Sequence, residues 1–232
     1  MNNYINNIYS IITFNVHNFY NSEMINTFSE ISKIIKKYDI IALQEVYDEQ
    51  KLFLITKEYN FVYNKGTLIM TKFPIQIVNK NTSCPSTICI ITLPDGVNIF
   101  VTNIHLNYVD ESIRIEEINE IQYIIDDYTD YYPSILLGDF NALTKNDYTD
   151  KEWNQITKIR RLGGWELPVH ILTDRLLKEW NDTGKKNKKP TSRYDTRIDY
   201  IYTKNINSIF YDIVETIHTI SDHNLVSIFF HT

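Results

Sequence analysis

Cysteine, glycine and proline are scarce in this 232-residue chain, with 2, 6 and 6 residues respectively. Cys84 and Cys89 are too few for a disulfide framework and lack a second pair to complete a zinc site, so both are expected to be reduced thiols. Low glycine and proline exclude collagen-like and linker-rich sequence, and 43% hydrophobic with 13% aromatic residues exclude intrinsic disorder. No window approaches the roughly 18 consecutive apolar residues of a membrane span. Nor does Met1-Asn2-Asn3-Tyr4 open a basic stretch followed by an apolar run and a cleavage site. The expectation is an intracellular protein, cytoplasmic or nuclear, monomeric and without membrane insertion. Positive charge is short as well: 23 Lys+Arg against 29 Asp+Glu leave a formal net charge of −6. That balance excludes a non-specific nucleic-acid coat but allows a local basic patch beside a metal.

What the chain does contain is a long alternation of short apolar runs and amphipathic stretches. With no internal repeat and no Gly/Ser linker, residues 1–232 read as one domain. Ile8–Phe14 reads as a buried strand, and Met24, Phe28, Ile31 and Ile35 recur at helical spacing, predicting a helix over about 23–37. Ile40–Leu43 is a second buried strand that ends abruptly in Gln44-Glu45. A helix over Tyr47–Glu58 and strands around 61–63, 67–71 and 88–93 follow. Pro94-Asp95-Gly96 is a turn, since Pro presets one dihedral and Gly accepts positive φ, and Val97–Ile104 returns as its hairpin partner. Glu111–Asp127 is helical in pattern, Ser134–Leu137 is a buried strand, and 142–197 predicts two helical stretches and a long loop. Strands over 198–202, 209–214 and 225–230 complete the series. Such mixed order suggests two sheets, or one large sheet between helices.

Polar groups collect at the ends of the predicted strands: Asn15, Glu45, His105, Asp139 with Asn141, Asp199, and Asp222 with His223. Carboxylate and amide oxygens are hard ligands suited to Mg²⁺, and imidazoles beside them can donate to a developing phosphorane-like charge. Singly, each has a plain structural reading: Glu45 as a helix N-terminal carboxylate, Asp222 as a turn cap, Asn141 as a turn residue, His105 as a satisfied strand-end histidine. Their joint occurrence carries the weight. Thr13-Phe14-Asn15, Leu43-Gln44-Glu45-Val46, Asn103-Ile104-His105-Leu106, Gly138-Asp139-Phe140-Asn141, Arg197-Ile198-Asp199-Tyr200 and Ser221-Asp222-His223 span positions 13–223. In these segments, and in their order, the chain resembles the endonuclease/exonuclease/phosphatase superfamily. A weaker seventh match, Gly66 with Leu68–Ile75, resembles a glycine-led strand of that family.

The resemblance implies an α/β fold, the four-layer α-β-β-α sandwich of deoxyribonuclease I, with two packed mixed sheets flanked by helices. It further implies that Glu45 is the principal ligand of Mg²⁺, or of Mn²⁺, with Asn15 beside it and Asp222 turned towards the metal. Asp139 would orient or deprotonate the attacking water, Asn141 would donate to a phosphate oxygen, and His105 would donate to the non-bridging oxygens. His223 would be held by Asp199. Which of Asp139 and His223 is the base stays open. Among branches, the residues after Asn141 and before Asp199 depart from the inositol 5-phosphatases, and Asn103–Asn107 departs from the apurinic-site enzymes. The remaining set includes the 5′-tyrosyl-DNA phosphodiesterases. A metal-dependent phosphodiesterase acting on nucleic acid or at DNA ends is therefore expected. A lipid or small-molecule phosphodiesterase of sphingomyelinase type, or an inactive binding module, is the alternative.

Lys185, Lys186, Lys188, Lys189 and Arg193 precede the strand carrying Asp199 and read either as a cationic flap gripping phosphates or as a solvated loop. Trp153, Trp165 and Trp180 offer stacking surfaces or core volume, with at least two expected in the core. His17, His170, His218 and His231 belong to no segment and are expected to be structural or exposed.

Overall fold

Apolar runs long enough for a strand yet lacking a polar alternate face imply cover on both sides, and the chain folds so as to provide it. The computed structural model describes residues 7–78, 81–185, 187 and 189–231. Its strands are β1 (Tyr9–Asn15), β2 (Ile40–Gln44), β3 (Asn60–Asn64), β4 (Thr67–Thr71), β5 (Ile75–Ile77), β6 (Ser86–Thr92), β7 (Asn98–His105), β8 (Ser134–Asp139), β9 (Asn181–Asp182), β10 (Asp199–Lys204), β11 (Asn207–Val214) and β12 (Leu225–His231). The helices are α1 (Phe28–Ile35), α2 (Glu49–Thr56), α3 (Glu111–Thr129), α4 (Asp150–Gly163) and α5 (Ile171–Leu176). One sheet has the order β11-β12-β1-β2-β4-β3 and the other β5-β6-β7-β8-β10-β9. Each is mixed: β1 runs parallel to β2 and β7 parallel to β8, while the other pairs are antiparallel.

Three apolar clusters define four layers. Ile11, Ala42, Ile69, Val101, Leu137, Ile201 and Val226 meet between the sheets. Ile12, Phe14, Ile41 and Leu43 point the other way, onto Ile31 and Ile35 of α1 and Ile55 of α2. Phe100, Leu136 and Tyr200 cover the outer face of the second sheet against Ile118, Ile121 and Ile125 of α3 and Leu172 of α5. This is the α-β-β-α sandwich. Alternate side chains of β1 enter two different cores, so both faces demand apolar residues, which is why the run reads as continuous.

Three expectations need correction. The helix placed over 23–37 begins only at Phe28. Before it, the Asn21 side chain accepts the N–H groups of Glu23 and Ile25 (3.0 and 2.9 Å) and Asn26 accepts that of Phe28 (3.0 Å). Such local bonds compete with helical ones, and Met24 stays exposed in left-handed conformation. The expectation of at least two tryptophans in the core also fails: only Trp180 is buried, because Trp153 lies on α4, a surface helix with no buried residue, and Trp165 is 50% exposed. The short edge strand β5, after Pro74, has no counterpart in the periodicity. The Pro94–Gly96 turn and the β6–β7 hairpin form as read, with Gly96 N–H donating to Leu93 O (2.8 Å). Both cysteines are free and buried. Among the described residues no helix is long and apolar enough to cross a membrane.

Candidate active site

Register brings the polar strand ends to one edge of the sandwich. Asn15 closes β1 and Glu45 follows β2, its parallel neighbour. In the second sheet His105 lies opposite Asp139 across β7–β8, and Asp199 lies opposite Asp139 across β8–β10. Asp139 thus has an imidazole on one side and a carboxylate on the other by backbone pairing alone. Gly138 makes this pairing possible: a Cβ there would collide with the Ile104 carbonyl of β7. Glu45 and Asn141 leave their strands in left-handed conformation, φ 59° and 50°. That conformation strains glutamate more than asparagine. At Glu45 it is held by backbone bonds on both sides, Asn18 N–H to Glu45 O (3.0 Å) and Val46 N–H to Gly66 O (2.9 Å).

One carboxylate oxygen is the focus. Asp139 Oδ2 accepts from Asn15 Nδ2 (3.1 Å) and lies 3.7 Å from both His105 Nε2 and His223 Nε2. The same Asn15 amide donates to Glu45 Oε1 (3.0 Å), which lies 3.9 Å from His105 Nε2, so this amide bridges the two sheets. Asp139 Oδ1 accepts the Asn141 N–H (3.0 Å). Behind His223, Asp199 Oδ2 sits 2.9 Å from Nδ1 and is fully buried. The charge follows from this arrangement. Burial works against an imidazolium at His223, yet the carboxylates of Asp199 and Asp139 outweigh it and push its pKa up to about 10. Burial pushes the Asp199 carboxyl up to about 6, with His223 pulling it back. At neutral pH the pair is an imidazolium against a carboxylate.

A model of the Endonuclease/Exonuclease/phosphatase family matches residues 12–223. The chain belongs to this family. No curated protein matches it by sequence. Solved structures share the fold: a mannosyl-6-phosphatase of Bacteroides thetaiotaomicron at 15% identity, covering 95% of this chain and 98% of that one, with TM-score 0.71. A Bacteroides vulgatus protein of the family is similar at 18% identity, 97% and 99% coverage and TM-score 0.69. Truncated Caenorhabditis elegans TDP2 is similar at 18% identity, 97% and 98% coverage and TM-score 0.63.

Within this family member the donor set suits a hard divalent cation. Glu45 and Asp222 offer carboxylate oxygens at the partly open side of the cluster. Asp139, Asp199 and His223 also converge within 4.8 Å, but both nitrogens of His223 are directed at the two carboxylates, so this trio forms a chain of proton partners. Asn15 faces Glu45 and Asp139 as a donor, because its oxygen accepts the His17 N–H (3.0 Å); as a ligand it would have to turn its amide round. Asn141 donates one of its two amide N–H groups to Leu106 O (3.0 Å).

The basic segment divides. Arg193 Nη1 lies 3.7 Å from Asp222 Oδ2. Lys189 pairs with Glu215 (3.7 Å), and Lys185 lines a cavity of about 470 Å³ with Trp180 and Asp182, none of whose lining residues belongs to the strand-end cluster. Lys186 and Lys188 lie outside the described residues. Sequence reading also passed over supporting groups. Gln44 Nε2 donates to Thr13 Oγ1 and Asn103 Oδ1 (3.0 and 2.6 Å), and Asn103 Nδ2 donates to the Leu43 and Leu68 carbonyls, pinning the sheets together beneath the site. Thr191 Oγ1 accepts the N–H groups of Ile198 and Asp199 (both 3.0 Å), and Ser221 Oγ donates to Asn15 O (2.8 Å). His17, without a motif, has Nδ1 4.0 Å from Asp222 Oδ1. Gln44 and Asn103 lie inside recognised segments, which is the signal that points to them. For His17, two positions past Asn15, there is none.

Proposed function

We propose that the chain is a divalent-metal-dependent phosphodiesterase whose substrate is nucleic acid, with 5′-end processing as the representative reaction. The observation that carries this reading is the single oxygen of Asp139 faced by one amide and two imidazoles beside the Glu45 carboxylate. A Mg²⁺ or Mn²⁺ ion held by Glu45 and Asp222 would supply charge to the phosphate oxygens. His223, already an imidazolium and fixed from behind by Asp199, acts as a donor to the phosphate. It has no lone pair at Nε2 at neutral pH, so Asp139 is the group that accepts the proton of the attacking water. His105, between Glu45 and Asp139, donates to a non-bridging oxygen. Arg193 supplies a phosphate contact at the rim.

A second reading, a lipid or small-molecule phosphodiesterase, is favoured by one observation: of the basic residues described, only Arg193 reaches the site. Two release assays separate them, one with a 5′-tyrosyl oligonucleotide and one with sphingomyelin, each with Mg²⁺ and with EDTA. Metal-dependent release from the oligonucleotide supports nucleic acid. Release from sphingomyelin alone transfers the site to lipid. Turnover that persists in EDTA removes the metal from the reaction.

A further inference from the structure

The three tryptophans have three different fates. Trp180 is buried in the cluster beneath α3 and α5. Trp153 is packed between the rings of Tyr148 and His170, with the Lys145 ammonium 5.1 Å from its centre. Trp165 stands 50% exposed, edge-on to Tyr194 at 5.3 Å between centroids and 67° between planes, and Tyr194 is itself 54% exposed. The Tyr194 hydroxyl accepts from Arg193 Nη2 (2.8 Å), whose other guanidinium nitrogen is 3.7 Å from Asp222. An unbroken line of contacts therefore runs from the site carboxylates through Arg193 and Tyr194 to the indole.

Neither ring is loose. The Trp165 backbone is fixed, its main-chain N–H donating to Arg160 O at the end of α4 (2.9 Å). The next residue, Glu166, is tied down by the buried Arg114 and by the Glu111 N–H (2.5 Å). The indole lies so close over Gly163 that a Cβ there would come within 3.1 Å of the ring. The Arg193 guanidinium lies 5.0 Å from the centre of the Tyr194 ring. Each ring has one face held by its own surroundings, and half of its surface remains in water. Core packing gives no reason to fix two large rings half-exposed beside an anion-handling site, whereas stacking on a planar ligand does.

We propose that Trp165 and Tyr194 form a stacking site for a planar aromatic group joined to the phosphodiester, with Arg193 between that ring and the phosphate. The proposal deepens the phosphodiesterase reading and rests on it. The aromatic group has two possible sources, the base of an unpaired nucleotide or an aryl group esterified to the phosphate. Both present a π face of the required size.

Binding measured by tryptophan emission in EDTA, where turnover is blocked, tests this for wild type, Trp165→Ala, Trp165→Phe and Tyr194→Ala. The probes are a single-stranded oligonucleotide, the same strand with its terminal residues abasic, and the abasic strand bearing a 5′-tyrosyl ester; for both Trp165 variants a strand labelled with fluorescein at its far end replaces the intrinsic signal, with wild type measured both ways. Expected is a Kd for the base-bearing strand raised roughly 5- to 150-fold by Trp165→Ala, the range for losing a stacked base, and largely restored in Trp165→Phe. If the abasic strand loses that sensitivity, the base is the ring that stacks. If only the tyrosyl strand shows it, the aryl group is. Equal ratios among the three probes in wild type and both alanine variants overturn the stacking site while leaving phosphodiester hydrolysis untouched. Trp165-dependent aromatic binding in a protein that hydrolyses no phosphodiester with Mg²⁺ sinks the functional reading and keeps the stacking site.

Discussion

Replacing Asp199 by asparagine removes one charge from the buried end of the His223 pair while keeping shape and a hydrogen-bonding oxygen. Asp199 is fully buried, 2.9 Å from His223 Nδ1, and its charge is the strongest influence raising the imidazole. Asp139, 3.7 Å from Nε2, remains. The His223 midpoint should therefore fall by more than one pH unit from about 10, with burial opposing the charge and Asp139 still supporting it. Long-range ¹H–¹⁵N spectra of the imidazoles across pH 5–11, in metal-free protein, would follow it. The stability sign agrees. A histidine whose folded pKa is raised contributes stability in full below about 6.5 and loses it as pH rises through about 10, at about 1.4 kcal/mol for each pH unit of displacement. Wild-type urea midpoints should accordingly decline between pH 7 and 10 more steeply than those of Asp199→Asn. Turnover should drop on the order of 10²-fold or more, since the donor is no longer held as a cation in one orientation. A His223 midpoint unmoved by the substitution would refute the assignment of Asp199 as the group that charges it.

Glu45→Gln should leave the thermal midpoint close to wild type while lowering kcat on the order of 10²-fold, and EDTA should reproduce that loss in wild type; full activity of a folded Glu45→Gln protein would remove Glu45 from the cation site. Cys84, pushed up to about 12 by burial, and Cys89, raised further by complete burial, should resist thiol reagents at pH 8 until denaturant is added. Rapid labelling in the native state would contradict the fold around β6. Arg197 is buried between Asp147 and Asp182, with bonds of 2.6–3.1 Å to both. Arg197→Leu takes the guanidinium from two buried carboxylates and should cost about 3–5 kcal/mol in urea unfolding; a loss under 1 kcal/mol would show that the pairs are not maintained in solution.

Legibility in the sequence follows local rules. Ile40–Leu43 is legible because a strand buried on both faces leaves an unbroken apolar run, and Glu45 because that run stops abruptly at the sheet edge. The helix start at Phe28 is not, because periodicity reports which face is apolar and is silent on the asparagine side chains that bond 23, 25 and 28 out of the helix. At the site, each strand-end group can be named singly, but the single oxygen on which they converge is set by cross-strand register, His105 opposite Asp139 and Asp139 opposite Asp199. Register joins residues 34 to 60 positions apart and leaves no trace in local spacing. The same holds for Gln44 with Asn103 and for Arg197 with Asp147, whose partners lie 59 and 50 residues away. Trp165 shows the limit most clearly. By composition it is one of three equivalent tryptophans; only its placement, against Gly163 and beside Tyr194, separates a ring held half in solvent from the buried Trp180 and from Trp153 on the surface helix α4. The candidate site in this fold is thus written at strand ends, where sequence reading reaches it, while the surface proposed to stack a substrate's ring is built by the loops that follow α4 and precede β10, where contact decides.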